Sequence, residues 1–141
     1  MTSLNLATAR AVLDAALAAA RTAGFRPMGV VVVDAAAQVV VSAREDGATA
    51  LRLDIALGKA AAAVGMGASS RALAARAKDM PAFFTSIAAV SPQHFIAQTG
   101  AVLIVAADGR VLGAAGASGG TGDEDEQICI AGIAAAGLAH A

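Results

Sequence analysis

Met28-Gly29-Val30-Val31-Val32-Val33-Asp34, followed after Ala35-Ala36-Ala37-Gln38 by Val39-Val40-Val41-Ser42-Ala43-Arg44, decides the fold class. The first run is uninterrupted, apolar and β-branched, which suits a strand buried on both faces rather than one half-solvated by alternation. The second resumes the same pattern, and the alanines between them form a weak turn, so the pair predicts a hairpin. A second hairpin is marked more strongly. Val102 to Val105 and Val111 to Ala117 flank Ala107-Asp108-Gly109-Arg110, and Asp-Gly tolerates the positive φ that tight hairpin turns require.

Helices surround these strands. Leu6, Ala9, Val12, Leu13, Ala16, Leu17 and Ala20 recur at helical spacing, with Asn5 or Thr2 as cap and Gly24 as stop. A second helix is expected from about Ala48 to Val64, with Leu51, Ile55, Leu57 and Ala62 on its apolar side and Gly65-Met66-Gly67 ending it. Ser69 or Ser70 caps a short third helix running through Arg76. Met80 to Gly100 contains Pro81 and Pro92 and little periodicity, and reads as a long loop packed by Phe83, Phe84, Ile87 and Phe95. Thr121 with Glu124 forms a capping-box pattern opening a last helix to about Leu138, with Asp123 and Asp125 favourable at its positive end. The expected architecture is α+β: a mostly antiparallel sheet packed with helices, in the order α-β-β-α-α-β-β-α. No linker or repeat divides the 141 residues, so a single domain over 1–141 is expected.

Composition narrows the function classes. Hydrophobic residues make up 57% of the chain and charged residues 15%, against a usual charged share of about 25%. Disorder is excluded, and the apolar excess points to a homo-oligomer. A net charge of −1, with no Trp or Tyr to stack on bases, disfavours nucleic acid. Met80 to Ala107 carries no Asp, Glu, Lys or Arg, but Pro92-Gln93-His94 and Gln98-Thr99-Gly100 would be costly inside a bilayer, so no membrane span is expected. The lone Cys129 and the absence of a secretion signal fit a cytoplasmic protein.

Several residues carry candidate chemistry. Ser118-Gly119-Gly120-Thr121 joins a strand to a helix start. It serves either as a turn needing positive φ or as a site where free N–H groups meet an anion such as a carboxylate. The acidic run Asp123 to Glu126 opposes that anion. Lys59 lies mid-helix among alanines and needs a partner or a route to water. Facing Asp46 or Asp125, it makes either a structural ion bridge or an acid/base couple. Arg44 is a second candidate for holding a carboxylate. His94, in the long stretch, is a surface residue, a proton shuttle or an iron ligand, and His140 is expected to fray. Met28, Met66, Met80 and Cys129 read as core filling. No cluster has zinc-site spacing, and no phosphate loop, nucleophile elbow or dinucleotide fingerprint occurs.

Three segments together resemble the GlcG/HbpS family, small haem-binding or haem-degrading-like domains also found at the C-terminus of PduO proteins. They are Val30 to Asp34 with Ala43-Arg44-Glu45-Asp46-Gly47-Ala48; Ala56-Leu57-Gly58-Lys59-Ala60 with Ser70-Arg71-Ala72-Leu73; and Asp108 to Gly120 with Asp125 beyond it. The resemblance implies a compact α/β domain, a homo-oligomer and a pocket for a small-molecule ligand, with haem the ligand most often named. The chain departs from it in carrying alanines after Asp34 where relatives usually have glycine. It also has no histidine near its N-terminus, where some haem-binding relatives supply an iron ligand.

Two functional readings follow. In one, the chain binds a small molecule, haem or another tetrapyrrole foremost, with Arg44 or Lys59 on the carboxylates. In the other, Arg44 and Ser118 to Thr121 hold a small carboxylate or hydroxy acid while Asp46, Lys59 or Asp125 moves a proton. A third reading gives the chain an assembly role only. The first two require residues 44–47, 59 and 118–125 to converge.

Overall fold

The computed structural model describes residues 3–141. Among them, helix α1 (Leu6–Ala23) is followed by β1 (Gly29–Asp34), β2 (Val39–Arg44), α2 (Arg52–Met66), α3 (Ser70–Asp79) and α4 (Pro81–Val90). Then come β3 (Ala101–Val105), β4 (Val111–Ser118), α5 (Gly122–Ala135) and the short β5 (Ala139–His140). The strands form one sheet in the order β2-β1-β4-β3-β5, antiparallel at every pairing.

The valine run occupies the middle of three layers. Val30 and Val32 of β1, with Val102, Ile104, Ala115 and Ala117, face α1 and α5. Val31 and Val33, with Leu103, Val105 and Ala114, face Ala56, Ala60 and Ala63 of α2. Successive side chains of a strand point to opposite faces, so β1 is apolar throughout because both faces are covered. Each of its fully buried valines contributes about 1.5–3 kcal/mol.

Local signals act as their chemistry dictates. Asn5 caps α1 by a reciprocal box with Thr8, and Gly24 ends it at φ 71°; Thr2 lies outside the described residues. The alanine turn of the first hairpin works because Asp34 Oδ1 accepts from the Ala36 and Gln38 N–H groups at 2.9 and 3.0 Å, which holds Ala37 at φ 61°. Asp108 does the same in the second hairpin, accepting from Arg110 N–H at 2.9 Å beside Gly109.

Four expectations are corrected. Residues 81–90 form a helix, with Pro81 at its first turn, where a missing N–H costs nothing, and Ser91-Pro92 ending it. This helix buries Phe84 against Ala62 of α2 and Leu73 of α3. In α2 the sheet-facing side is made by the alanines, while Leu51 is its exposed N-cap and Ile55 and Leu57 are half-buried. Ser69 and Ser70 do not cap α3 with their hydroxyls. Those accept from Leu103 and Ala101 N–H of β3 at 2.9 and 2.7 Å, tying α3 to the sheet. His140 is paired with Ile104 in β5 rather than frayed.

Candidate functional site

The site forms where α2 crosses the ends of β1 and β4. Gly29 of β1 is paired with Ser118 of β4, and a Cβ on Gly29 would lie 2.9 Å from the backbone of Arg52. The start of α2 therefore sits directly against the strand that neighbours Ser118. Arg52 Nη1 donates to Ser118 Oγ at 3.2 Å. Two helical turns later on the same face, Lys59 reaches the preceding residue of β4, donating from Nζ to the Ala117 carbonyl at 3.0 Å.

Lys59 also donates to Asp125 Oδ2 at 3.0 Å, and both residues are almost completely buried. The other Asp125 oxygen accepts from Gly120 N–H at 2.9 Å. Burial pushes the Asp125 carboxyl above its ordinary value, against the pull of the Lys59 ammonium, the Gly120 N–H and the Arg52 charge. The Ser118-to-Thr121 connection that allows this approach depends on Gly119. It has φ 151°, and a Cβ there would come within 2.3 Å of the Pro27 carbonyl.

These groups line an open cleft of about 450 Å³, together with Ile55, Ile96, Gln98, Thr99, Gly120 to Gly122 and Asp123. The opposing acidic run is largely occupied. Arg71 pairs with Asp123 and Glu126, Glu124 closes the capping box with Thr121, and Asp125 holds Lys59. Among the described residues, Arg52 has no carboxylate partner within salt-bridge distance. It is the cleft's one half-buried cation without a counter-ion.

Residues 4–134 match the family model for haem degrading protein HbpS-like. The chain belongs to this family. A double mutant of HbpS from Streptomyces reticuli is 33% identical, with 95% of this chain and 87% of that chain covered and a TM-score of 0.82. PduOC, solved as a heme complex, is 24% identical with 98% of each chain covered and a TM-score of 0.86. The Klebsiella pneumoniae protein ORFY is 22% identical, covering 97% and 93%, with a TM-score of 0.84. The last two share the fold. A search of curated proteins gave no match.

In this HbpS-like chain the candidate residues fall into three places. Lys59, Ser118, Gly120, Thr121 and Asp125 meet in the cleft, with Gly119 shaping the turn beneath. Arg44 and Asp46 do not join them. They line a separate hollow with Arg21 and Glu45, where Arg44 Nη1 is spent on the Ala48 carbonyl at 2.6 Å. The expected convergence of 44–47 with the other two clusters therefore fails, because β2 is an edge strand displaced from β4 by β1. His94 lies in a third hollow, its Nε2 3.4 Å from Asp54 Oδ1, with both side chains more than half exposed. Such a pair contributes little. Cys129 is buried in the core, and burial pushes its thiol far up, so it stays protonated and unreactive.

Sequence reading missed Arg52, Ile96, Gln98 and Thr99. For Arg52 a signal existed: it stands seven residues before Lys59, on the same face of one helix.

Proposed function

We propose that the chain is a small-molecule-binding protein whose ligand carries a carboxylate, held in the cleft by Arg52 and Ser118. The observation that carries this reading is Arg52: a half-buried guanidinium without a counter-ion, aimed at a hydroxyl at the mouth of a polar cleft. A planar two-pronged donor suits a carboxylate, and a charge-assisted hydrogen bond is worth about 1.5–3 kcal/mol.

Haem is the leading ligand by membership of the HbpS-like family, and the heme complex of PduOC shows a protein of this fold holding it. The cleft's donor set fits the carboxylates of a tetrapyrrole. It does not fit the iron, since no His, Met, Cys or Tyr lines it among the described residues. The chain's own part is thus to bind and orient the acidic edge of such a ligand. We also take the protein to be cytoplasmic and homo-oligomeric. The unpaired Cys129 supports the first, and the exposed Leu6, Val39, Leu51, Met80, Phe83 and Val90 support the second.

Titrating haem into the purified protein is expected to shift the Soret band saturably, and Arg52→Ala to weaken binding by about 10-fold to 100-fold. A spectrum equal to that of free haem overturns the tetrapyrrole. A metabolite panel then tests the wider reading: small carboxylates should raise Tm in the wild type and not in Arg52→Ala. No stabilisation by any carboxylate would leave only the assembly role.

A second reading has its own observation. The Lys59–Asp125 pair is buried at the wall of the same cleft, with a carboxyl that burial raises. Such a pair can hold or move a proton for a small carboxylate or hydroxy acid bound at Arg52.

A further inference from the structure

We propose that Lys59 is an imine-forming lysine, condensing with the carbonyl carbon of a small 2-oxo acid whose carboxylate rests on Arg52 and Ser118. The inference rests on reading the cleft as a carboxylate site, and adds to it the class of substrate and a covalent step.

Three observations converge. First, the two cations end on consecutive residues of β4, Lys59 at the Ala117 carbonyl and Arg52 at the Ser118 hydroxyl. Their Cα atoms lie about 10 Å apart along α2, yet their heads end on neighbouring residues of one strand. A 2-oxo acid places its carboxylate and its carbonyl on adjacent carbons, which matches two cationic heads that meet one strand side by side.

Second, Lys59 has the proton acceptor that an amine nucleophile needs. Asp125 Oδ2 is 3.0 Å from Nζ, and the carboxylate is held in that orientation through its other oxygen by Gly120 N–H at 2.9 Å. The step balances within this pair. The Lys59 ammonium gives a proton to Asp125, and the nitrogen lone pair forms the C–N bond as the carbonyl π bond opens. After a proton passes from nitrogen to the carbinolamine oxygen, Asp125 returns its own proton to that oxygen, which leaves as water. The product is a protonated imine beside an ionised Asp125. The buried positive charge is retained at the same place, so the ion pair survives the reaction.

Third, the setting is selective. The chain has one other lysine, Lys78, which is exposed on α3 and does not line this cleft. Burial, with the Asp125 carboxylate 3.0 Å from Nζ as proton acceptor, distinguishes Lys59 from that solvated ammonium.

The test uses the full chain with pyruvate and sodium cyanoborohydride, read by intact mass and peptide mapping. One reduced three-carbon adduct at Lys59 is expected, persisting in Lys78→Arg and falling at least ten-fold in Arg52→Ala. Mapping on the wild-type chain makes the result independent of whether a Lys59 variant folds. An adduct confined to Lys78 or other surface amines overturns the imine. If pyruvate raises Tm through Arg52 without labelling Lys59, the imine fails while the carboxylate site stands. If it neither stabilises nor labels, both fall for this class of acid.

Discussion

Asp125→Ala is expected to lower the unfolding free energy by about 3–5 kcal/mol at neutral pH, one of the largest effects of any side-chain truncation outside the apolar core. The variant leaves the Lys59 ammonium buried with only the Ala117 carbonyl, and it strips the Gly120 N–H of its acceptor. Lys59→Met has a different signature, because the orphan it leaves is an acid, which neutralises by taking up a proton as pH falls. Burial already pushes the Asp125 carboxyl up, and removing the ammonium removes the strongest opposing influence. A folded carboxyl above its unfolded value binds more protons in the native state. Its contribution is fully present below the ordinary carboxylate range and is lost as pH rises through the folded value. Lys59→Met is therefore expected to approach wild-type stability at about pH 4 and to fall away towards neutrality, while Asp125→Ala shows no such recovery on acidification. Urea unfolding at a series of pH values separates the two. Parallel profiles would show that the pair does not titrate as a unit with its burial. The double replacement Lys59→Met, Asp125→Leu is expected to recover most of the loss, since an apolar pair of similar volume avoids the desolvation penalty of two buried charges.

The elements most legible in the sequence were those whose residue types admit one physical solution. Val30 to Val33 can only be a covered strand, Asp108-Gly109 only a tight turn, and Thr121 with Glu124 only a helix start; all three stand where expected. Helix α4 was hidden because Pro81 to Val90 has no charged residue, so the helical period has no polar face to contrast with its apolar one. In α2 the large apolar residues misled for a related reason. Alanines pack against the sheet because the helix lies too close for anything larger, and closeness is a property of the partner strand. At the site, Lys59 stands alone among alanines and so needs a partner or a route to water, with Asp46 and Asp125 as the two candidate acids. The choice of Asp125 over Asp46 depends on strand order, which no local pattern encodes. Arg44 drew attention through its motif, whereas Arg52 matters through its helix face and the absence of a counter-ion. The second of these depends on tertiary packing, which no local pattern encodes.

That closeness of helix and sheet is also where a remote substitution should reach the cleft. A Cβ on Gly116, near the C-terminal end of β4, would lie 2.5 Å from the Ala56 carbonyl and 3.1 Å from the Ala60 side chain. The obstacle is helix backbone, so no rotamer change relieves it, and α2 must lift away from the strand. Gly116→Val is expected to cost about 1–3 kcal/mol, the usual range for overpacking a filled core. Because α2 carries both Arg52 and Lys59, the same displacement draws both cations off residues 117 and 118, so carboxylate binding should weaken beyond what lost stability explains. Gly65→Ala supplies the contrast within the same helix. Nothing lies within 4 Å of its added Cβ, and replacing glycine in an exposed helical turn should stabilise by about 0.5–1 kcal/mol. Thermal melts with and without a bound carboxylate measure both terms. Should Gly116→Val melt with the wild type and keep its affinity, the strand would not be what sets the height of α2, and the placement of the two cations would need another cause.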